Sequence, residues 1–233
     1  MTDFPVTLIT GGSSGIGAAA ARLLLNRGHR VAVTGRDKAR LDQAAESLGR
    51  PAELLTFVAD ATDHDQVARA VEATVSAFGR LDTAVANAGF STGGSLADGD
   101  PAAWRRMVLT NVLGPALLIR ACLPALRETR GRIVLVGSVA GFIWSPGNLY
   151  GATKWAVTGL AENTRRMVTG DGVGVTLIAP GRVETPFWDP YGGAPEGPML
   201  TADQVAESIA WAVGQPVGVD VNTVVVRPTG QPN

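Results

Sequence analysis

A hydroxyl, a phenol and an amine stand close together near the middle of the chain: Ser138, Tyr150 and Lys154, in the run S-V-A-G-F-I-W-S-P-G-N-L-Y-G-A-T-K. Brought to one point, these groups can move a proton on or off a carbonyl oxygen. A free phenol holds its proton to about pH 10, too high for a base at neutral pH, and a neighbouring ammonium favours the phenolate and lowers that value. Lys154 is therefore expected to bring Tyr150 into use as an acid/base. The spacing suits a helix, where residues i and i+4 lie one turn apart on the same face. Tyr-x-x-x-Lys alone arises in many helices by chance, so its weight comes from the upstream serine and from a second signature at the N-terminus.

That signature is Thr10-Gly11-Gly12-Ser13-Ser14-Gly15-Ile16-Gly17, set between the apolar run Val6 to Ile9 and the helix-forming run Ala18 to Leu25. A buried strand, a glycine-rich turn and a helix in succession aim backbone N–H groups and a helix N-terminus at an anion. Glycines are required where a side chain would block the approach of a pyrophosphate. A P-loop is excluded, because no G-K-[ST] follows.

With T-G-x-x-x-G-I-G at residues 10–17, Asn87-Ala88-Gly89, Asn111, Ser138, Tyr150-x-x-x-Lys154 and Pro180-Gly181 in that order, the chain resembles the short-chain dehydrogenase/reductase family along nearly its whole length. It departs from the family pattern at Ala86, where N-N-A-G has its first asparagine, at Thr153, where Y-x-A-S-K has serine, and in lacking a D-G-G ending. The last residues, V-N-T-V-V-V-R-P-T-G-Q-P, look more like the branch that includes NADP-dependent 3-hydroxy acid dehydrogenases. The resemblance implies one α/β Rossmann domain over residues 1–233, acting as a dehydrogenase or reductase on CH–OH groups through a nicotinamide. It implies that Tyr150 gives or takes the proton and that Ser138 holds the substrate oxygen. Lys154 would lower the tyrosine's pKa and bind the nicotinamide ribose, and Asn111 would anchor a water passing protons to solvent. For the cofactor it implies Gly11, Ser13, Ser14, Gly15, Ile16 and Gly17 at the pyrophosphate, Asp60 and Ala61 at the adenine, and Asn87, Ala88 and Gly89 beside the adenine ribose. Pro180, Gly181, Val183 and Thr185 would lie on the nicotinamide side, with Thr185 at the carboxamide. Asn87 has a second reading, as a residue satisfying main-chain groups of a neighbouring strand. Pairing of the helices near 101–126 and 149–168 into dimers or tetramers is also implied.

The second strand ends Val33-Thr34-Gly35-Arg36-Asp37. At that distance from the glycine turn an acidic residue suits the ribose diol of NAD and an arginine suits a 2′-phosphate. Gly35 with Arg36 therefore points to NADP(H) in preference to NAD(H). Asp37 tempers this, since a carboxylate beside the phosphate repels it unless it turns away. Ser14 supplies no second positive charge.

These residues need a scaffold that gathers them. Short β-branched runs near Val6, Val31, Leu54, Ala84, Ile133, Val175 and Val224 alternate with helical patterns, which predicts a doubly wound, parallel, seven-stranded sheet with helices on both faces. Thr10, Asp60, Asn87, Ser138 and Pro180 all end or follow predicted strands, where ligands bind in such sheets. Residues 187–200, rich in Gly and Pro, read as too irregular for an element and as a loop that covers something, and the resemblance implies a mobile lid over the substrate. Phe90, Phe142, Trp144, Trp188 and Tyr191 are expected to line an apolar pocket for an aromatic or cyclic ketone. Arg182 either grips a carboxylate, as a 3-hydroxy acid requires, or pairs with Glu184 in solvent. Reduction of a 3-oxoacyl thioester is a further alternative. A non-catalytic NADP(H)-binding redox sensor has no reason to keep Asn111, Ser138, Tyr150 and Lys154 together. Trp104, Trp155 and Trp211 sit in helical patterns, as packing or subunit contacts.

Composition narrows the classes. The chain has 233 residues, 45% hydrophobic, with a formal net charge of −1, which argues against nucleic acid as a partner. The opening M-T-D-F-P-V lacks a basic stretch before an apolar one, and no uninterrupted apolar run is expected to span a membrane, so a cytoplasmic protein is expected. Cys122 stands alone and reads as buried packing. His29 and His64 belong to no ligand cluster, and no metal is expected.

Overall fold

The computed structural model describes residues 4–231. The runs rich in Val, Ile, Leu and Thr become strands: β1 (Val6–Thr10), β2 (Arg30–Gly35), β3 (Leu54–Val58), β4 (Thr83–Ala86), β5 (Arg132–Val136) and β6 (Gly174–Pro180). A short parallel pair, β7 (Val183–Glu184) with β8 (Leu200–Thr201), precedes β9 (Thr223–Val226). The main sheet is seven-stranded and parallel throughout, in the order β3-β2-β1-β4-β5-β6-β9. Its order reverses between β1 and β4, which opens a crevice at the carboxyl ends of those strands.

A sheet covered on both faces needs apolar residues on both sides of each strand, and β1 and β5 are buried along their whole length. Leu8 joins a core with Val71 of α3 (His64–Phe78), Leu118 of α5 (Gly114–Thr129) and Val157 of α6 (Leu149–Val168). Its neighbour Ile9 points the other way, into a second core with Leu24 of α1 (Gly15–Asn26), Leu41 of α2 (Lys38–Ser47) and Ile209 of α7 (Ala202–Val213). Cys122, on α5, is wholly buried in the first core, and burial pushes its thiol up.

Side-chain caps start most helices where the sequence puts Asp, Asn or Thr. Asp37 caps α2, Asp63 caps α3, Asp100 caps α4 (Pro101–Val108), Asn148 caps α6, and Thr201 with Gln204 forms a capping box on α7. The start of α1 differs: Ser14 makes no capping bond, so no side chain covers the first N–H groups there.

Two expectations need correction. Residues 101–126 are not one regular helix, because a π turn at Leu109–Leu113 joins α4 to α5 and carries Asn111. The continuous helical run Pro101–Thr129 is, by length and composition, apolar enough to cross a membrane, though arginines interrupt it. Here it serves the core, with Leu118, Ile119, Cys122 and Leu126 buried against the sheet. Residues 187–200 are not wholly irregular: Pro186–Tyr191 forms a 3-10 helix, and Leu200–Thr201 pairs with Val183–Glu184.

Candidate active site

The glycine turn leaves β1 and enters α1 with no room for side chains. A Cβ on Gly17 would lie 2.3 Å from the Gly11 carbonyl oxygen, and one on Gly12 would lie 2.5 Å from Val33 Cβ. Gly11 and Gly15 hold φ of +67° and +53°, the left-handed region that glycine alone adopts freely. Thr10 Oγ1 accepts from the N–H groups of Asn87 and Ala88, each at 3.2 Å, and Asn87 Nδ2 donates to the carbonyls of Thr10 and Gly11, both at 3.0 Å. Asn87 thus carries its second reading, as the tie between two strand ends. Ser13, Ser14 and Ile16 border this cradle, and Gly89 lies open at its rim. The side-chain-free turn and the uncapped start of α1 fit a dinucleotide pyrophosphate.

At the end of β2, Gly35 is followed by exposed Arg36. Asp37 Oδ1 accepts from Arg40 N–H at 3.2 Å, and Arg40 Nε lies 3.8 Å from its other oxygen. The carboxylate that tempered the NADP expectation is therefore turned onto its own helix. Asp60 Oδ1 accepts from the backbone and hydroxyl of Thr62, both at 2.8 Å, which fixes the turn holding Ala61. On the other side, Pro180 ends β6 and Gly181 N–H donates to Val226 O at 2.7 Å. Val183 is buried in β7, and the Thr185 methyl lies 3.4 Å from where a Gly15 Cβ would stand, so this segment faces the glycine turn.

Ser138 leaves β5 and Tyr150 and Lys154 project from the first turns of α6. Ser138 stands near the Tyr150 phenol, close enough to oppose the upward push on its pKa, and accepts from Ala140 N–H at 3.1 Å. Lys154, 6% exposed, donates from Nζ to Val136 O at 3.0 Å and lies 5.6 Å from the centre of the Tyr150 ring. The net direction of the Tyr150 pKa in the polypeptide alone is upward, with burial as its largest cause. Burial pushes Tyr150 up to about 12, opposed by the Ser138 hydroxyl and assisted by Tyr191. Burial pushes Lys154 down to about 8. Desolvation disfavours the charged form of each.

Asn111 is buried at the π turn and its side-chain groups are engaged. Oδ1 accepts from Phe90 N–H at 3.0 Å, and Nδ2 donates to Phe90 O at 2.9 Å and to Thr153 Oγ1 at 3.1 Å. Thr153 in turn donates to Tyr150 O at 2.7 Å. Through these bonds the Asn111 side chain ties the β4 exit to the helix of Tyr150 and Lys154.

The aromatic residues divide. Trp188 and Tyr191 lie with Phe187 over the phenol: Phe187 is 5.4 Å from the Tyr150 ring, 5.1 Å from Trp188 and 6.2 Å from Tyr191, centre to centre. Trp144 does not join them. It is 86% exposed and stacked at 5.1 Å on Trp155, which lies about 100° round α6 from Lys154 and so faces away from the site. Phe142 is exposed after a 3-10 turn, and Phe90 enters the site through its main chain. Arg182 does not pair with Glu184; Nη1 donates to Glu196 O at 3.2 Å. Sequence reasoning missed Ser91, Thr92 and Phe187 as site residues, and saw Thr153 only as a departure. Phe187 had a signal in its place two residues after Thr185.

The model of the short chain dehydrogenase family matches residues 5–194. An uncharacterized oxidoreductase of Staphylococcus saprophyticus subsp. saprophyticus is 37% identical over 228 residues, covering 96% of this chain and 97% of that one. Sulfoacetaldehyde reductase 2 of Chromohalobacter salexigens is 38% identical over 239 residues, covering 97% and 95%. Among solved structures, an alcohol dehydrogenase from the archaeon Thermococcus sibiricus, complexed with 5-hydroxy-NADP, superposes with a TM-score of 0.89 at 26% identity over 99% of both chains. A match of this extent, on a fold whose strand ends converge on one crevice, makes the chain a member of the short chain dehydrogenase family of oxidoreductases.

Proposed function

We propose that this oxidoreductase uses NADP(H) to interconvert a carbonyl compound and its secondary or primary alcohol, with Tyr150 as the acid/base. A bound nicotinamide supplies or accepts the hydride. The protein's part is to bind, orient and move the proton. The glycine turn and the open start of α1 would hold the pyrophosphate, Arg36 the 2′-phosphate, Asp60 and Ala61 the adenine, Lys154 the nicotinamide ribose and Thr185 the carboxamide. Asp37's turn onto α2 and the NADP analogue bound by the archaeal alcohol dehydrogenase support the choice of NADP(H).

The observation that carries the reading is the convergence of Ser138, Tyr150 and Lys154: Ser138 stands near the phenol, the Phe187 ring lies 5.4 Å from the Tyr150 ring, and Lys154 Nζ lies 5.6 Å from that ring's centre. Ser138 would hold the substrate oxygen beside the phenol. A phenol pushed up to about 12 is protonated at neutral pH, which equips it to give its proton to that oxygen in the reducing direction. The aromatic roof favours compact, apolar aldehydes or ketones. A small anionic aldehyde is the second reading, favoured by the sulfoacetaldehyde reductase relative and by Arg182 at the base of the roof.

NADPH consumption against cyclic and aromatic ketones, 3-oxo acids, 3-oxoacyl thioesters and sulfoacetaldehyde tests the reading. Tyr150→Phe is expected to lower kcat by about 100-fold or more. Retention of most turnover by that variant sinks the mechanism. Arg36→Leu is expected to reduce the preference for NADPH over NADH by about tenfold or more, read from binding titrations of both nucleotides.

A further inference from the structure

The segment that roofs Tyr150 is fastened at both ends. At its base, Leu200 N–H donates to Arg182 O at 2.8 Å within the β7–β8 pair, and Trp188 Nε1 donates to Val183 O at 2.8 Å. At its tip, the Tyr191 hydroxyl donates its one proton to Thr92 O at 2.9 Å, so Ser91 Oγ must be the donor in its hydrogen bond with the same phenol. The two halves of this tip fastening differ in freedom. Ser91 and Thr92 directly follow Phe90, whose N–H and C=O are both held by Asn111, and Ser91 is buried. Tyr191 is followed by Gly192 and Gly193 at φ of +81° and +127°, a backbone able to swing.

We propose that Tyr191 is a clasp. By tying the roof to the fixed rim at Ser91 and Thr92, it closes the compartment over Tyr150 and selects compact carbonyl substrates against those bearing a long arm, such as 3-oxoacyl thioesters. This rests on the carbonyl–alcohol reading above. A compact substrate is enclosed between Phe187 and Tyr150 with the clasp fastened. A substrate whose arm leaves across the rim turns over only with both hydrogen bonds broken. The nearness of the Tyr191 phenol to Tyr150, felt as an upward push on the latter, sets the clasp at the edge of the reacting space.

Tyr191→Phe keeps the ring in its aromatic cluster and removes only the hydroxyl, while Ser91→Ala removes the other partner. Two measurements on each variant, with wild type, test the proposal. Amide hydrogen exchange over residues 186–200 is expected to quicken by about tenfold in Tyr191→Phe, with residues 149–168 unchanged. The ratio of kcat/KM for a cyclic ketone to that for a 3-oxododecanoyl N-acetylcysteamine thioester is expected to fall by about tenfold in both variants. Unchanged exchange overturns the clasp, and an unchanged ratio overturns its selective role. Wild-type protein that binds NADPH but reduces no ketone, 3-oxo acid, thioester or sulfoacetaldehyde of the panel above sinks the carbonyl–alcohol reading instead, and the exchange result still decides whether Tyr191 fastens the roof.

Discussion

Thr153 is the point where one hydroxyl serves two masters. It accepts from Asn111 Nδ2 at 3.1 Å and donates to Tyr150 O at 2.7 Å, so it joins the β4 exit to the helix that carries the acid/base. Thr153→Val preserves shape and leaves a buried Asn111 N–H without a partner, at a cost of about 1–3 kcal/mol. Denaturant melts should register that loss, and kcat should fall by about tenfold as Tyr150 loses its fixed backbone. Thr153→Ser should restore both, because it keeps the oxygen; a valine variant that matches wild type in both would remove Thr153 from the network. Ser138, Tyr150 and Lys154 could be read from the sequence because their types and spacing are the chemistry. The partners of Asn111 could not, since they come from distant segments and depend on a π turn that no local pattern announces. The upward push on Tyr150 was illegible for a related reason: sequence names neighbouring charges, while burial belongs to the fold.

Elements carry the second level of design. Gly17 lies where the first turn of α1 passes the Gly11 carbonyl and Asn87, and an added Cβ would stand 2.3 Å from the one and 2.5 Å from the other. Gly17→Ala should therefore destabilise the fold by about 1–3 kcal/mol and weaken NADPH binding, because relief comes only by moving the cradle. Thermal melts and a fluorescence titration check both effects, and an alanine variant with unchanged affinity would show the cradle to be more yielding than its contacts imply. All seven main strands were legible, since a sheet buried on both faces needs continuous runs such as V-T-L-I-T and R-I-V-L-V. The 186–200 segment was not. Its proline and glycine content says only that it is neither long helix nor strand, and its form comes from ties to Val183, Arg182, Ser91 and Thr92 that lie outside it.

For the molecule as a whole, the buried lysine and the half-buried tyrosine of the site make stability depend on pH in opposite senses. Lys154 drops from its ordinary 10.5 to about 8 on folding, so between those values the unfolded chain binds more protons and stability rises with pH. Tyr150 climbs from 10.0 to about 12, so above pH 10 the folded chain binds more and stability falls. Melting temperatures taken from pH 7 to 10 should carry a rising contribution from Lys154 that is absent from Lys154→Met. Identical profiles for the two proteins would mean that the lysine is not held in so dry a place.

The lone thiol has a use beyond packing. Cys122 is sealed between α5 and the sheet and is the chain's single cysteine, so a thiol-directed reagent reaches it only when that face of the molecule parts. Its labelling rate under native conditions is a built-in stopwatch for such openings, one that needs no engineered tag. Nucleotide bound at the strand ends should slow that stopwatch in step with its occupancy, which turns a buried packing residue into a gauge of ligand binding.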